Sequence, residues 1–335
     1  MTMDVVDRPA LDGARVAPAD GAFEGFVRQG TILETKAFTS VSDEAGGYAV
    51  PREIDAEIAR VLTQASPIRA IAKVVTVGSA GYRKLITSGG TPSGWASETG
   101  PRPESATPVF TELAPPMGEL YANPSASQAM LDDAAFDVEL WLAGEIAAEF
   151  ARAEGAAFVA GSGDNRPRGF LTQPVSTAGD GARPLGTLQY LPSGAAGDFA
   201  GAADERLIDL MQSLRAPYRQ GACWVMNAST LARIRKIKTG DGHPLWQPGL
   251  ADGRPASLLG YPVIEAEDMP DIAANAAAIA FGNFTAGYLI AERGETTILR
   301  DPYSNKPFVS FYATKRIGGC VADSEAIKLM KFAAA

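Results

Sequence analysis

The chain has 335 residues, long enough for two domains or one elaborated domain around a sizeable core. Hydrophobic residues make up 46% and charged residues 21%, an ordinary globular composition, and no apolar run approaches the ~20 residues that cross a bilayer. Lys and Arg number 30 against 39 Asp and Glu, and the net charge of −9 argues against a broad basic face that grips nucleic acid.

Residues 1–36 are short of large apolar side chains, hold a weak helical signal around Phe23–Leu33, and read as an appendage. The opening residues lack the basic-then-apolar order of a secretory signal, so cytoplasmic synthesis is the expectation. After a glycine hinge at Gly46–Gly47, Pro51 is placed to initiate a helix over about Arg52–Gln64, with Ile54, Ile58, Val61 and Leu62 on its apolar side. Alternation in VVTVGSAGYRKLITS predicts a strand over 74–88, and VFTELAPPMGELYANPSAS reads as extended over 109–127. Residues 89–108 between them are polar and rich in turn formers, so the three segments predict a long β-hairpin arm. A connection of this length inside a compact domain is unusual and is expected to be functional or held by a partner.

Met130–Leu171 predicts one long amphipathic helix that stops at a glycine-rich turn. Asp132 and Asp133 are its N-cap candidates, and Asp137 and Glu139 put negative charge where the helix dipole favours it. Val138, Leu142, Ile146 and Phe150 recur every four residues as an apolar ridge. Gly161 and Gly163 are placed to end the helix in the left-handed conformation, and Pro167 prevents its resumption. Residues 172–203 are loop-like. A second helix is expected over Asp204–Tyr218, with Leu207, Ile208, Met211 and Leu214 on one face. Cys223–Met226 reads as a short buried strand, and Ser229 or Thr230 can cap a helix running to about Lys238. The basic run Arg233–Lys238 fits a solvated helix end. From Leu258 to Lys331 the pattern is of short strands, which makes the fold α+β, with helices segregated from a mainly antiparallel sheet. Cys223 and Cys320 sit in apolar, strand-like segments and are expected to be buried free thiols.

Chemistry is hard to find in this chain. Its single histidine, His243, stands beside Pro244 in a loop, and with two separated cysteines it cannot assemble a tetrahedral zinc site at the usual spacings. A Gly-x-Ser-x-Gly elbow and any Gly-Lys pair are absent from the sequence. The glycines of AGSGDN follow a helix rather than open one, the wrong order for phosphate at a helix N-terminus. Glu265/Glu267 and Asp132/Asp133 are better explained as solvated or capping carboxylates than as an acid–base dyad. Trp95, Trp141, Trp224 and Trp246 are scattered, which fits core or interface packing. No catalytic, cofactor or metal site is expected.

The order of these elements resembles the major capsid proteins of tailed bacteriophages, whose shell fold encapsulins share. The markers are EAGGYAVP, the Arg-Pro-Glu-Ser of the hairpin tip, FVAGSGDNRPRGFL, WVMNASTLARIRKIKTGDGHPLW, SLLGYPVIEAEDMP and DPYSNKPFVSFYATKRIGGCVADSEAIKLMK. Each is loose alone; in this order, over residues 37 to 332, they are specific. The resemblance implies a leader or scaffold-like segment over 1–36, an N-arm over 37–72 and an extended hairpin, or E-loop, over 73–126 that lies on a neighbouring subunit. It also implies a peripheral domain over 127–237, with the long helix as its spine and a return over 308–335, and an axial domain over 238–307.

The implied function is that of a structural subunit, not an enzyme: pentamers and hexamers of one chain closing an icosahedral or related shell around DNA, in a phage, prophage or gene transfer agent. An encapsulin-type compartment is the first alternative, and an α+β enzyme with an unrecognised site is the second. Trp95, Arg102 and Glu104 are the implied hairpin contacts between subunits. Some relatives crosslink through a hairpin lysine just before Pro-Glu-Ser; here that position is Arg102, which stays protonated and offers no nucleophilic amine. Asn305 falls in the acceptor region, but Pro307–Arg316 has no carboxylate to assist, so no crosslinking is expected. A maturation protease of the family would cut near Lys36–Ala37, although an uncleaved tail or a separate scaffold protein would also fit. Portal and decoration proteins are further implied partners, and DNA is enclosed without strong specific binding.

Overall fold

The computed structural model describes residues 66–334 except 79–80, 89–92, 100–103, 106–108, 134–137, 202, 238–245 and 248–256. The expected appendage, the helix over 52–64, the Lys36–Ala37 bond, Arg102 and His243 lie outside the described residues.

In chain order, the short helix α1 (Pro67–Ile71) leads into β1 (Lys73–Val77), and β2 (Lys84–Ser88) and β3 (Val109–Leu113) form the arm. After β4 (Met117–Ala122) and β5 (Ser125–Ser127) come helices α2 (Gln128–Asp133) and α3 (Val138–Ala160). A 3-10 turn at Phe170–Thr172 precedes four short strands, β6 (Val175–Ser176), β7 (Leu188–Pro192), β8 (Gly194–Ala195) and β9 (Asp198–Phe199). Helices α4 (Ala203–Ser213) and α5 (Ala216–Arg219), strand β10 (Cys223–Met226) and helix α6 (Ala228–Arg235) follow. Next are β11 (Trp246–Gln247), β12 (Ser257–Leu258), β13 (Tyr261–Glu265), β14 (Ile279–Gly282) and the one-turn helix α7 (Phe284–Gly287). The long pair β15 (Tyr288–Asp301) and β16 (Phe308–Val321) precedes β17 (Ile327–Lys331).

A smaller sheet has the order β1-β15-β16-β4, with β5 also on β16, and a larger one runs β11-β12-β13-β10-β14-β17-β7-β6. Most pairings are antiparallel, as the sequence implies, but β1–β15, β10–β13, β17–β7 and β6–β7 are parallel. The β10–β13 pair is a βαβ unit with α6 in its crossover. Alternate residues of a strand face opposite sides. Val225, Ala280 and Leu329 therefore join Phe158 and Val159 of α3 in one core, while Trp224, Phe281 and Met330 join Leu207, Leu210 and Leu214 in another. Burial on both faces explains why Cys223–Met226 is apolar without alternation. Both cysteines are free and buried, as expected.

Several local expectations change. The strand expected over 74–88 divides: β1 stops at Val77 and pairs with β15, whereas β2 starts at Lys84 and pairs with β3. Its partner over 109–127 divides at Pro115–Pro116, which cannot donate to a ladder. Asp132 and Asp133 lie inside α2, so they do not cap the long helix. The ridge of α3 is as expected, with Val138, Ile146 and Phe150 buried. Gly163 is left-handed at φ 87°. Gly161 is not; it is a glycine because a Cβ there would lie 2.2 Å from the Pro167 carbonyl oxygen and 2.5 Å from that of Ala157.

The second helix ends at Ser213, and α5 restarts with Pro217 in its first turn. Leu207 and Leu210 are its buried residues, Leu214 just past its end is buried with them, and Ile208 faces outward. The cap of α6 is Asn227, whose side chain accepts from the Thr230 amide at 2.9 Å, rather than Ser229 or Thr230. An asparagine oxygen on the residue just before the helix, in extended backbone, reaches the third amide, the geometry an N-cap requires.

Candidate subunit-contact surface and a buried charge layer

The arm β2–β3 has apolar side chains that no described residue covers. Leu85, its cross-strand neighbour Glu112 and Phe110 share one face, and Leu85 and Phe110 are each 68% exposed there. The Arg83–Glu112 ion pair, at 2.9 Å, edges the same face. Beyond the arm, Trp95 and Glu104 are both exposed at the tip, and no contact brings them together. A tryptophan left in water forfeits most of what its size could contribute by burial.

A second exposed set lies on the outer face of the smaller sheet and at the end of the β15–β16 hairpin. The Tyr121 and Tyr312 rings are 6.4 Å apart, and Leu299 is the cross-strand neighbour of Tyr312. Phe308 is partly exposed and Tyr303 is 80% exposed in the connecting turn. Asn305 is in that turn, its carbonyl accepting from the Phe308 amide at 2.7 Å.

The opposite face of this sheet packs on α3, and there the chain buries four charges. Arg69 of α1 reaches Glu154 at 3.1 Å and Glu292 at 2.5 Å, and Lys315 reaches the same two carboxylates at 2.8 and 2.9 Å. Two cations and two carboxylates close a neutral ring that ties α1 to α3, β15 and β16. Burial alone would raise the Glu292 carboxyl, but Lys315 and Arg69 overcome it and hold the group below its ordinary value. Beside the ring is a cavity of about 820 Å³ whose walls include Thr76, Glu119, Arg293, Glu295, Thr314 and Arg316. Sequence reading missed the ring although signals were present. Glu154 continues the four-residue spacing from Phe150 to Phe158, and Lys315 has the inward parity of Ala313 and Ile317.

The charged groups hold elements together, and the exposed apolar groups lie bare on the surface. Burial raises the Cys223 thiol to about 12. Burial, opposed by Arg168 and Lys84, likewise raises Cys320 to about 12. Both stay protonated and unreactive at neutral pH. Among the described residues no group of three His, Cys, Asp or Glu side chains could hold a metal, and no helix is long and apolar enough to cross a membrane.

Comparison with known proteins explains the mixture of tight cores and bare contact surface. The model of the Phage capsid family matches residues 46–332. Among solved structures, the chain is similar to the capsid of an empty GTA particle computed with C5 symmetry: 47% identity, TM-score 0.75, covering 89% of this chain and 96% of that one. The capsid of the native GTA particle is similar at 48% identity and TM-score 0.74, with the same coverage. A virus-like particle from Pyrococcus furiosus shares the fold alone, at 13% identity and TM-score 0.51, covering 83% of this chain and 98% of that one. No curated protein is significantly similar in sequence. With a family model spanning most of its length and a capsid structure 47% identical across nearly the same span, this chain belongs to the phage capsid family.

Proposed function

We propose that this chain is the major shell subunit of a gene transfer agent or a closely related phage-type particle, assembling with copies of itself into five- and six-membered rings around DNA. The observation that carries the reading is the 47% identity to a GTA capsid, with 96% of that chain covered. The exposed apolar arm supports it, since Leu85, Phe110 and Trp95 are left for a neighbour to cover. In this reading Trp95, Arg102 and Glu104 are contacts between subunits, α3 is the spine of a peripheral domain, and 238–307 is the axial domain. Residues 37–72 are the N-arm in this reading, with its last residues anchored on the peripheral core, where Ile68 is fully buried in one cluster with Phe158 and Arg69 joins the charge ring.

The net charge of −9 suits a wall that encloses DNA without gripping it. Assembly takes place in the bacterial cytoplasm, with portal, scaffold, maturation protease and decoration proteins as partners. The family model begins at residue 46, which supports a dispensable leader cut near Lys36–Ala37; the subunit mass in purified particles tests that cut. Negative-stain micrographs of the purified chain test the main reading. Hollow closed particles are expected, and a uniform monomer or small oligomer at high concentration overturns it. The shared fold of the Pyrococcus particle keeps a cargo compartment as the second reading. Particle contents, DNA or enclosed protein, decide between the two.

A further inference from the structure

The peripheral part of the molecule consists of two apolar bodies divided by a charged stratum, and we infer that this stratum is a flexure plane about which the outer body tilts. The inner body contains Phe158 and Val159 of α3, Ile290 of β15 and Ile317 of β16. The outer body contains Ile146 and Phe150 of α3, with Ile298 of β15 and Ala313 of β16, and continues into Leu131, Val309 and Phe311. On each of these three elements a charged residue falls between the bodies: Glu154, Glu292 and Lys315. Arg69 completes the layer. Each of these three elements thus changes from apolar to ionic at one level, while β4 crosses it at the sheet's edge with Leu120 opposite Lys315.

Chemistry at that level permits small rearrangements. Interdigitated apolar side chains fit one arrangement and resist sliding. Ion pairs can trade partners where alternatives are near. The cavity wall supplies them: Arg316 pairs with Glu119 at 3.0 Å, while Arg293 and Glu295 have no ion-pair partner among the described residues. The cavity also gives displaced side chains room and water.

The backbone is interrupted at the same height. Pairing of β15 with β16 runs from Tyr288↔Val321 to Arg293↔Arg316 and resumes at Thr297↔Thr314. Four steps on β15 (293 to 297) therefore span two on β16 (316 to 314), a bulge of two extra residues. Bulges bend a strand and raise its local twist. Gly294 in the bulge is left-handed at φ 69°, with open space where a Cβ would be. Helix α3 crosses the plane unbroken, and a long helix accommodates gentle curvature.

The use of such a plane rests on the shell-subunit reading. The similar GTA capsids are computed with C5 symmetry, and a closed shell with no symmetry beyond a five-fold axis would set one sequence in many non-equivalent places. A subunit that tilts at a charged plane keeps both cores intact while meeting each of them. The flexure itself does not need the shell, so the decisive experiment uses the isolated chain.

Spin labels at Ser125→Cys on β5 and Glu205→Cys on α4 span the plane, and labels at Glu205→Cys and Glu267→Cys lie on the inner side. The native thiols are buried and do not compete. Pulsed dipolar spectroscopy is expected to give a distance distribution roughly twofold wider for the spanning pair, the signature of two bodies in relative motion. Replacing Arg69, Glu154, Glu292 and Lys315 together by Met should narrow the spanning distribution to the width of the control pair. Equal widths for the two pairs in the unmutated background overturn the inference whether or not the four-Met variant folds, and so does an unchanged width in a folded four-Met variant. Absence of particles in micrographs would remove the shell reading and leave this result standing.

Discussion

A glycine can be required by backbone angle or by space, and the turn after α3 shows both. Gly163 is left-handed, so Gly163→Ala should cost roughly 1–2 kcal/mol. Gly161 and Gly169 are hemmed in, with a Cβ on Gly169 falling 2.4 Å from the Val159 carbonyl oxygen. Alanine at either position must move backbone and should cost about 2 kcal/mol or more, read as the shift of the chemical denaturation midpoint. That the turn needs glycines was plain from the sequence. Which constraint acts on which glycine was not, because the turn is positioned from far away, by the Arg168 amide donating to the Gly319 carbonyl at 2.9 Å. The cysteines were legible from their apolar surroundings alone. With both thiols held at about 12, a soluble disulfide reagent at pH 7.5 should label neither in the native chain and both after denaturation.

At the scale of elements, α3 joins two kinds of interaction that respond differently to mutation. Phe150→Ala opens a cavity in the outer body and should destabilise by about 3–5 kcal/mol. Glu154→Gln removes one charge from a neutral ring, strands its partners, and should also cost about 3–5 kcal/mol. The ring also makes stability depend on solution acidity, through Glu292. The Glu292 carboxyl is held below its ordinary 4.5, so its stabilising share is complete above that value and is lost as pH falls through the lower folded value. The stability gap between the native chain and Glu292→Gln should therefore shrink as urea titrations move from pH 7 toward pH 3. The ridge of α3 was readable because its four-residue period is local. The division of each arm strand between two pairings was not, since Pro115–Pro116 and the glycines near residue 78 mark a break without saying which partner lies beyond it.

At the scale of the whole molecule, α+β class and order of elements were legible, while the layering was not, because it depends on pairings between residues far apart. Arg69 meets Glu292 across more than half the chain, and no period in either segment foretells the other. Function followed a similar rule: what identifies the chain is the sequence of its parts, with no single motif. The substitution at the hairpin tip still bears on a material property. With Arg102 where a nucleophilic lysine would be needed, assembled particles should dissolve in hot detergent to a single subunit band, and a ladder of covalent multiples would refute this. One arrangement in the larger sheet also governs timing. Strand β17 sits between β14 and β7, with Lys328 buried against Asp180 and Gln189, yet the ribosome makes it after both. Until residues 327–331 insert, β14 and β7 each have an open edge and neither core can close. A nascent copy is thus withheld from the lattice until its synthesis has passed that strand, and a copy cut short before it never qualifies.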